Sequence, residues 1–347
     1  MDNVFTLKQI IEKRREHNLE THIAFVDYAK AFDTIQRNRM WRIMDNIGIP
    51  SHLIGAIKSL YHDNKIVIKS LNRVSEDIQV NKGLRQGWSL SPTLFNIYID
   101  EIVKRWSEKT CRGIELGQEC IINTLLFADD QVILHETEDN LQFSIFQLDK
   151  ICNEYGLRIS TAKSKVMAFK GKDPVRTKIV VRDCILEQVS TFNYLGCSLT
   201  YKKDSDINNK ISRFQSVCGT IHRSLKGRAR KDTELKFFKV MAVPLLMYGS
   251  EAWTIGRREE SRLQSAEMWF LRAVKGCTRL DRIRNDDIRA ELRMQPLNAK
   301  IKSYRNRWKE HVERMPARRI PKDALLYRPR GRRDVGRPWR RWVESII

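Results

Sequence analysis

The sequence has no paired-cysteine motif, no long apolar run and no leader-like N-terminus. Its 7 cysteines form no C-x-x-C pair, which argues against a zinc finger and a disulfide framework and favours a reducing compartment. No apolar stretch reaches the ~20 residues needed to span a bilayer. The start, MDNVFTLKQI, is not typical of a signal peptide. We therefore expect an intracellular protein, in nucleus and cytoplasm, that has no membrane segment.

The sequence has instead a large excess of positive charge, which is unevenly placed. The 347 residues are 41% apolar and 31% charged, which predicts a folded chain with more than one domain. Residues 1–200 carry 27 Lys and Arg against 25 Asp and Glu, whereas residues 201–347 carry 37 against 17. This asymmetry predicts a polyanion-binding region beside a nearly neutral domain. Ribosomal, chromatin and membrane-surface proteins share it, so charge alone does not identify the partner.

Two neighbouring acids, Asp129 and Asp130, are flanked by apolar, β-prone segments on both sides. This pattern predicts a hairpin with two carboxylates at its tip. Adjacent carboxylates repel each other and are costly to desolvate, and a hard divalent cation such as Mg²⁺ would neutralise them. The alternative is a simple turn, because aspartate is common in turns.

A third acid, Asp27, directly follows the apolar run Ile23-Ala24-Phe25-Val26. A continuous apolar run is typical of a strand that is buried on both faces. Asp27 would lie where this strand leaves the core, a common position for catalytic groups in α/β proteins. Asp33 has another explanation, since an acid in the first turn of a helix interacts favourably with the helix dipole.

A polar, glycine-containing loop precedes a predicted helix in residues 82–92. Ser91 is predicted as the N-cap of that helix and Pro92 as its first residue. Such a loop can bring backbone and amide groups close to a flat substrate. Glycine-rich loops before helices are frequent, so this pattern alone is not specific.

Five motifs in this order resemble the palm of a reverse transcriptase of the non-long-terminal-repeat (LINE-like) retrotransposon type. They are F-V-D-Y-A-K-A-F-D at 25–33, G-L-R-Q-G-W-S-L-S-P-T-L-F-N at 83–96, F-A-D-D at 127–130, G-L-R-I-S-T-A-K-S-K at 156–165 and F-N-Y-L-G at 192–196. Later segments, including P-L-L-M-Y-G-S-E-A-W at 244–253, W-K-E-H-V at 308–312 and G-R-P at 336–338, resemble the region after the palm in the endonuclease–reverse transcriptase elements of animals. The resemblance covers nearly the whole chain.

The resemblance implies an α+β fold. It predicts a palm, an antiparallel sheet backed by helices, with partial fingers at residues 1–171 and a primer-grip-like hairpin at 172–200. A helical thumb-like region at 201–290 and a basic helical nucleic-acid-binding region at 291–347 would follow. Because the family's further fingers motifs and endonuclease domain have no counterpart before Asp27, the resemblance also implies an N-terminally truncated element.

The resemblance assigns Asp27, Asp129 and Asp130 as catalytic residues that hold two Mg²⁺ ions, for which Mn²⁺ can substitute. Two such ions support phosphoryl transfer to a primer 3′-hydroxyl, one at the attacking oxygen and one at the leaving group. Neighbouring side chains on a strand point to opposite faces, so we expect Asp129 rather than Asp130 to be the direct ligand.

Further residues match the family's nucleotide and primer sites. Phe32 matches the aromatic residue that crowds the sugar 2′ position, although a plain core phenylalanine is the alternative. Lys163 or Lys165 would face the departing phosphates, and the sequence does not choose between them. The predicted nucleotide-binding residues are Tyr28, Phe32, Arg85, Gln86, Gly87, Lys163 and Lys165, and the predicted primer-binding residues are Phe192, Tyr194, Leu195 and Gly196.

The C-terminal arginines are interleaved with the aromatic residues Tyr327, Trp339 and Trp342. Arginine pairs with phosphate and aromatic rings stack on unpaired bases, so we expect salt-sensitive RNA or DNA binding. A solvated helical face is the alternative. The arginines assigned to this role are Arg328, Arg330, Arg332, Arg333, Arg337, Arg340 and Arg341.

The function that the resemblance implies is RNA-directed DNA polymerisation, with an RNA template, a DNA primer and deoxynucleoside triphosphates as partners. We expect the chain by itself to extend a primer poorly. The main alternative is a non-catalytic nucleic-acid-binding relic of a retroelement. Another polymerase with the same palm, such as an intron maturase or a telomerase subunit, fits the F-A-D-D motif and the tail less well.

Overall fold

The computed structural model describes residues 1–70, 73–110, 112–117, 120–202, 206–331, 333 and 339–346. The strands are β1 (Glu20–Val26), β2 (Lys65–Ile66), β3 (Lys69–Ser70), β4 (Arg73–Val74), β5 (Ile78–Gln79), β6 (Ile114–Gly117), β7 (Cys120–Ile122), β8 (Thr124–Phe127), β9 (Asp130–His135), β10 (Lys165–Lys170), β11 (Asp173–Pro174), β12 (Val180–Val181), β13 (Cys184–Ile185), β14 (Glu187–Gln188), β15 (Thr191–Tyr194) and β16 (Cys197–Thr200).

The helices alternate with strands in the first part of the chain and dominate the last part. They are α1 (Asp2–Glu16), α2 (Ala31–Thr34), α3 (Arg37–Asn46), α4 (Ser51–Leu60), α5 (Ser91–Lys109), α6 (Glu138–Glu154), α7 (Asp206–Leu225), α8 (Lys231–Phe237), α9 (Val243–Met247), α10 (Arg257–Lys275), α11 (Asn285–Glu291), α12 (Leu297–Arg314) and α13 (Ile320–Leu326). Within the described ranges, no helix is both long enough and apolar enough to cross a bilayer.

The central sheet has the strand order β11-β10-β1-β9-β8, with β14 added in parallel beside β10. Strand β1 lies in the middle and pairs antiparallel with both β9 and β10. Strands β8 and β9 also pair antiparallel and form the predicted hairpin around the two acids. The end of β1 therefore lies beside the tip of this hairpin.

Both faces of the sheet are covered, which explains why the second half of β1, residues 23–26, is apolar without interruption. Ala24 and Val26 pack with α5 and α6 on one face. Ile23 and Phe25 pack with α1 and the β15–β16 hairpin on the other. Because successive strand side chains point to opposite faces, a strand segment between two packed layers buries apolar side chains at successive positions.

Helices α7 to α11 and the start of α12 form a separate core, centred on the rings of Phe214, Phe238 and Phe270. This arrangement confirms the predicted α+β class, with a sheet backed by helices followed by a helical region. The domain boundaries at 171, 200 and 290 remain predictions.

The end of the chain folds back on α1 instead of projecting as a basic arm. Trp342 is fully buried and meets Phe5 edge-to-face, with 4.8 Å between the ring centroids. Arg341 donates two hydrogen bonds to the Glu16 carboxylate, at 2.7 and 2.8 Å. Tyr327 is buried as well. The prediction that Tyr327 and Trp342 stack on bases is therefore wrong for this conformation, because both rings belong to the core.

The predicted N-cap at Ser91 is also wrong. Helix α5 begins with Ser91, so this residue lies one position inside the helix and Leu90 precedes it as the cap. The Ser91 hydroxyl instead donates to the Arg85 carbonyl at 2.5 Å. The serine thus fastens the preceding loop to the helix, a contact that depends on the path of the loop.

Glu12 of α1 is buried beneath the C-terminal segment. Its carboxylate accepts hydrogen bonds from the backbone N–H of Trp342 at 3.1 Å and from the Thr254 hydroxyl at 3.3 Å. Burial raises the pKa of Glu12 from 4.5 to about 7, against the opposing effects of the Trp342 hydrogen bond and the Arg15 charge.

This burial predicts a pH dependence of stability. Between about pH 4.5 and 7 the native state holds a proton that the unfolded state releases, so the free energy of unfolding falls as the pH rises. Glu12→Gln should remove this fall and stabilise the protein at about pH 8 by up to ~3 kcal/mol. Urea unfolding at about pH 5 and about pH 8 measures the free energy of unfolding at each pH. The exposed Glu154→Gln variant is the control. Equal behaviour of the two variants would contradict the expectation.

Candidate active site

The two predicted acidic elements meet at the end of the central sheet. In the register of β1 and β9, Val26 pairs with Gln131, so the next residue, Asp27, lies beside Asp130. At the hairpin tip Phe127 pairs with Asp130 across Ala128 and Asp129, and Ala128 has a positive φ of 52°. A two-residue turn with positive φ is typical of a tight β-hairpin.

Asp27 and Asp130 line one cavity of about 210 Å³. The Oδ2 atom of Asp27 is shielded from solvent and accepts no hydrogen bond. Burial and the negative charges of Asp129 and Asp27 raise the pKa of Asp130. The cavity is lined by Phe25, Val26, Asp27, Asp130, Gln131, Lys163, Phe192 and Tyr194.

The donor chemistry of this cavity suits a divalent cation. A shielded carboxylate oxygen without a hydrogen bond, and a carboxyl group whose ionisation is opposed by two neighbouring acids, would both be relieved by positive charge. Among the described residues, however, no group of three or more His, Cys, Asp or Glu side chains is arranged to hold a metal ion. Asp129 lies in the turn and is absent from the cavity lining. The three-carboxylate metal site therefore remains a prediction.

The structure separates the two candidate lysines. Lys163 Nζ lies 3.5 Å from Asp27 Oδ2, and its side chain is 73% exposed at the cavity. Lys165 instead pairs with Glu187 at 2.7 Å and donates to the Ala162 carbonyl. Of the two lysines, only Lys163 lines the cavity that contains Asp27 and Asp130.

The polar loop is held against α2 by backbone contacts. The N–H of Gly83 donates to the Ile35 carbonyl at 2.8 Å, and the N–H of Leu84 to that of Phe32 at 2.8 Å. The guanidinium of Arg37 donates to three loop carbonyls, those of Val80, Lys82 and Gly83. Sequence reasoning missed Arg37, because an arginine in the first turn of a helix shows no signal for a buried contact.

The predicted nucleotide-binding side chains of the loop lie near Phe32. Gln86 donates to the Asp33 carboxylate at 3.1 Å. Arg85 lies over the Trp88 ring at 4.4 Å and donates to Asn64. Phe32 itself is half-buried and stacks on Phe95, with 4.5 Å between the ring centroids.

Gly83 fits this arrangement only because it has no side chain. Its φ is +83°, and a Cβ atom would lie 2.8 Å from the Asp33 carbonyl oxygen. Gly83→Ala should therefore displace the loop and destabilise the protein by about 1–3 kcal/mol. Gly87→Ala is a matched control, since Gly87 has a similar φ of +82° and open space around it. Urea unfolding and protease sensitivity of the loop measure the effect, and equal losses would contradict the steric explanation.

The side chain of Tyr28 does not face the candidate site. It is buried in the core, and its hydroxyl donates to the Gln131 side chain at 2.5 Å. Burial raises the pKa of this phenol well above its usual value. The ring fills the space beneath the hairpin, and the nucleotide-binding role of Tyr28 remains a prediction.

The predicted primer hairpin lies against the same cavity. Phe192 stacks on Phe25 at 4.1 Å and, with Tyr194, lines the cavity beside the acids. At the turn, the carbonyl of Leu195 accepts from the Tyr248 hydroxyl at 2.8 Å and that of Gly196 from Lys210 at 3.0 Å. Two residues of the helical region thus hold the hairpin turn, and two residues of the hairpin reach the cavity.

The predicted C-terminal arginines divide into two groups. Arg333 and Arg341 both pair with Glu16, and Arg340 donates to the Ile255 carbonyl. Arg328 is exposed, and Arg330 forms an exposed ion pair with Glu115 at 4.0 Å. Arg332, Arg337 and the motif at 336–338 lie outside the described residues.

Comparison with known proteins agrees with this geometry. The family model for reverse transcriptase (RNA-dependent DNA polymerase) matches residues 2–199. A Pol polyprotein from the type-1 retrotransposable element R2 of Nasonia vitripennis is 24% identical over 284 residues, which is 80% of this chain and 27% of the relative. One from Popillia japonica is 27% identical over 258 residues, 72% of this chain and 42% of the relative. The chain thus spans less than half the length of these relatives.

A telomerase structure from Candida tropicalis, in complex with a TWJ fragment of telomeric RNA, aligns over 93% of this chain and 51% of that chain. The TM-score is 0.44 and the identity 12%. The family match includes the strand end, the polar loop and the acidic hairpin. The chain therefore belongs to the reverse transcriptase (RNA-dependent DNA polymerase) family and, by its retroelement relatives, to the non-LTR retrotransposon type.

Proposed function

We propose that this chain carries the polymerising centre of an RNA-directed DNA polymerase. It would transfer a deoxynucleoside monophosphate from a deoxynucleoside triphosphate to the 3′-hydroxyl of a DNA primer paired with an RNA template, in the nucleus or cytoplasm. The observation that carries the proposal is the placement of Asp27 and Asp130 on one cavity, with Asp129 beside them at the hairpin tip.

The reaction forms a phosphodiester bond at the primer 3′-oxygen and breaks the bond between the α- and β-phosphates, which releases diphosphate. Asp27, Asp129 and Asp130 would hold two Mg²⁺ ions, or Mn²⁺ in their place. When bound, such ions favour the deprotonated hydroxyl and offset the charge of the leaving group. Lys163, whose ammonium is 3.5 Å from Asp27, would bind the departing phosphates.

The surrounding side chains support roles in positioning substrate. Arg85, Gln86 and the backbone at Gly87 would contact the template base and the incoming nucleotide. Phe32, fixed by its stack on Phe95, would exclude the 2′-hydroxyl of a ribonucleotide. Phe192 and Tyr194 would place the primer end, since they line the cavity that contains the acids.

The test is incorporation of a labelled deoxynucleotide on an RNA template with a DNA primer. We expect incorporation that requires Mg²⁺ or Mn²⁺, stops with a chelator and favours deoxynucleotides over ribonucleotides. Because we expect little extension by this chain alone, the decisive quantity is the ratio to the Asp27→Asn variant. Binding of template and primer without any cation-dependent incorporation would favour the non-catalytic relic.

A further inference from the structure

A second and larger cavity lies where α1, β16, the start of α10 and the C-terminal segment meet. Its volume is about 530 Å³, within the ~300–1,000 Å³ typical of ligand sites. It shares no lining residue with the cavity that contains Asp27 and Asp130. We call it the basic cavity, because six of its lining side chains are cationic and two are acidic: Lys8, Arg15, Lys202, Arg257, Arg258 and Arg340 against Glu12 and Glu259.

Both acids of the basic cavity are engaged with the protein. Glu259 accepts a hydrogen bond from the Gly256 N–H at 3.1 Å, at the start of α10. Glu12 accepts from the Trp342 N–H and the Thr254 hydroxyl. Neither carboxylate pairs with an arginine of α10. The cavity, with more cationic than acidic side chains, therefore has a net positive charge, which favours an anionic ligand.

Two of the cations are available for such a ligand. Arg257 and Arg258 begin α10 and are exposed, and among the described residues their side chains form no hydrogen bond or ion pair. A guanidinium offers a planar fork of donors that matches two phosphate oxygens. A phosphate beside this pair would therefore gain hydrogen bonds without breaking existing ones.

An aromatic ring borders the same cavity. Trp339 is 40% exposed, and the Arg15 guanidinium lies 3.9 Å from the centre of its ring. Trp342, three positions later, is fully buried, so the exposure of Trp339 is not a general property of this segment. A half-exposed indole on the same cavity as Arg257 and Arg258 suits a nucleobase, since bases stack on aromatic rings with little sequence preference.

We propose that the basic cavity binds a nucleoside phosphate unit of single-stranded nucleic acid, outside the polymerising centre. The base stacks at Trp339 and the phosphate pairs with Arg257 and Arg258. A free nucleotide has the same chemistry. We favour single-stranded nucleic acid over a free nucleotide because Arg257 and Arg258 are exposed. The nucleic-acid backbone can therefore continue beyond the bound unit.

The experiment measures fluorescence anisotropy of a labelled oligothymidylate of about four nucleotides, in a chelator so that no divalent cation contributes. Arg257→Ala/Arg258→Ala should raise the Kd about 10-fold or more. Trp339→Ala should raise it by about 5- to 100-fold, the cost of one lost stack, and Trp339→Phe should restore most of the affinity.

Thymidine monophosphate as competitor distinguishes the sources: displacement identifies a free nucleotide, and no displacement identifies the strand.

A matched control removes the same charge elsewhere. Arg228 and Arg230 are exposed between α7 and α8, and Arg228→Ala/Arg230→Ala should change the Kd by less than about 3-fold. Ultraviolet crosslinking of an iodouridine oligonucleotide should recover the peptide that contains Trp339. The proposal is overturned if both double variants lose equal affinity, if Trp339→Ala binds normally, or if the crosslinks lie elsewhere. Because this binding assay is run in a chelator and involves no nucleotide incorporation, its failure is distinct from failure of the polymerase proposal.

Discussion

Asp27→Asn is expected to lower cation-dependent primer extension by about 10³-fold. The substitution keeps the size of the side chain but removes the charge at the end of β1, where Asp27 Oδ2 lies shielded and without a hydrogen bond. A metal ion at a transferring phosphoryl group stabilises the transition state by several kcal/mol, which corresponds to this loss in rate. Single-nucleotide incorporation at saturating template and primer measures the chemical step.

The control is Asp33→Asn, because Asp33 is an exposed acid of the same motif whose carboxylate is hydrogen-bonded only to the Gln86 side chain among the described residues. We expect its rate to stay within about 3-fold of the unchanged protein, since a single exposed hydrogen bond contributes little. Equal rates for Asp27→Asn and the unchanged protein would contradict the proposed active site.

The two hairpin acids can be separated in the same assay. We expect Asp129→Asn to lose at least as much activity as Asp130→Asn, because neighbouring side chains on a strand point to opposite faces and Asp129 is the predicted direct ligand. A much larger loss for Asp130→Asn would reverse this assignment and favour the residue that lines the cavity with Asp27. Titration of Mn²⁺ binding by electron paramagnetic resonance reports the same ranking without turnover.

Arg289→Ala is expected to destabilise the helical region by about 3–5 kcal/mol. Arg289 of α11 donates to Glu267 of α10 at 2.7 Å, and the Glu267 side chain is only 1% exposed. Glu267 also accepts from the Leu297 N–H at 3.0 Å, so it joins α10 to the start of α12. Burial raises the pKa of Glu267 against the opposing effect of Arg289, and removal of the arginine leaves a buried carboxylate without its cation.

Urea unfolding followed by circular dichroism measures this loss, with Arg279→Ala as an exposed control. The loss should be smaller at about pH 5 than at about pH 8, because a carboxyl group without its partner takes up a proton more readily. The double variant Arg289→Met/Glu267→Met should recover part of the stability, since apolar side chains avoid the desolvation of both charges. A loss no larger than that of Arg279→Ala would show that the pair contributes little.

Motifs close in sequence predicted most of the palm correctly. The apolar run before Asp27 becomes the central strand β1, and the segments around Asp129 and Asp130 become β8 and β9. These predictions succeeded because a strand that pairs on both sides and is buried on both faces shows a run of apolar residues in the sequence. The order of the motifs also identified the family, since each motif is recognised from its residue types without knowledge of the fold.

Contacts between distant segments could not be predicted in this way. The sequence left Lys163 and Lys165 equivalent, and the pairing of Lys165 with Glu187 separates them only once β14 lies beside β10. The C-terminal arginines and aromatic residues predict nucleic-acid binding, yet Arg341 pairs with Glu16 and Trp342 fills the core against Phe5. The sequence does not show whether an arginine or a tryptophan side chain faces water, a nucleic acid or another helix.

The sequence by itself determined the family, the order of the acidic motifs and the positive charge of the second half, because each depends on residue types alone. The tertiary structure decided which of these residues meet. It brought Asp27 to Asp130 through strand register, buried the Tyr28 ring under the hairpin, and joined Arg257, Arg258 and Trp339 around one cavity. Residue types set what each group can do, whereas distances between groups depend on how the whole chain packs.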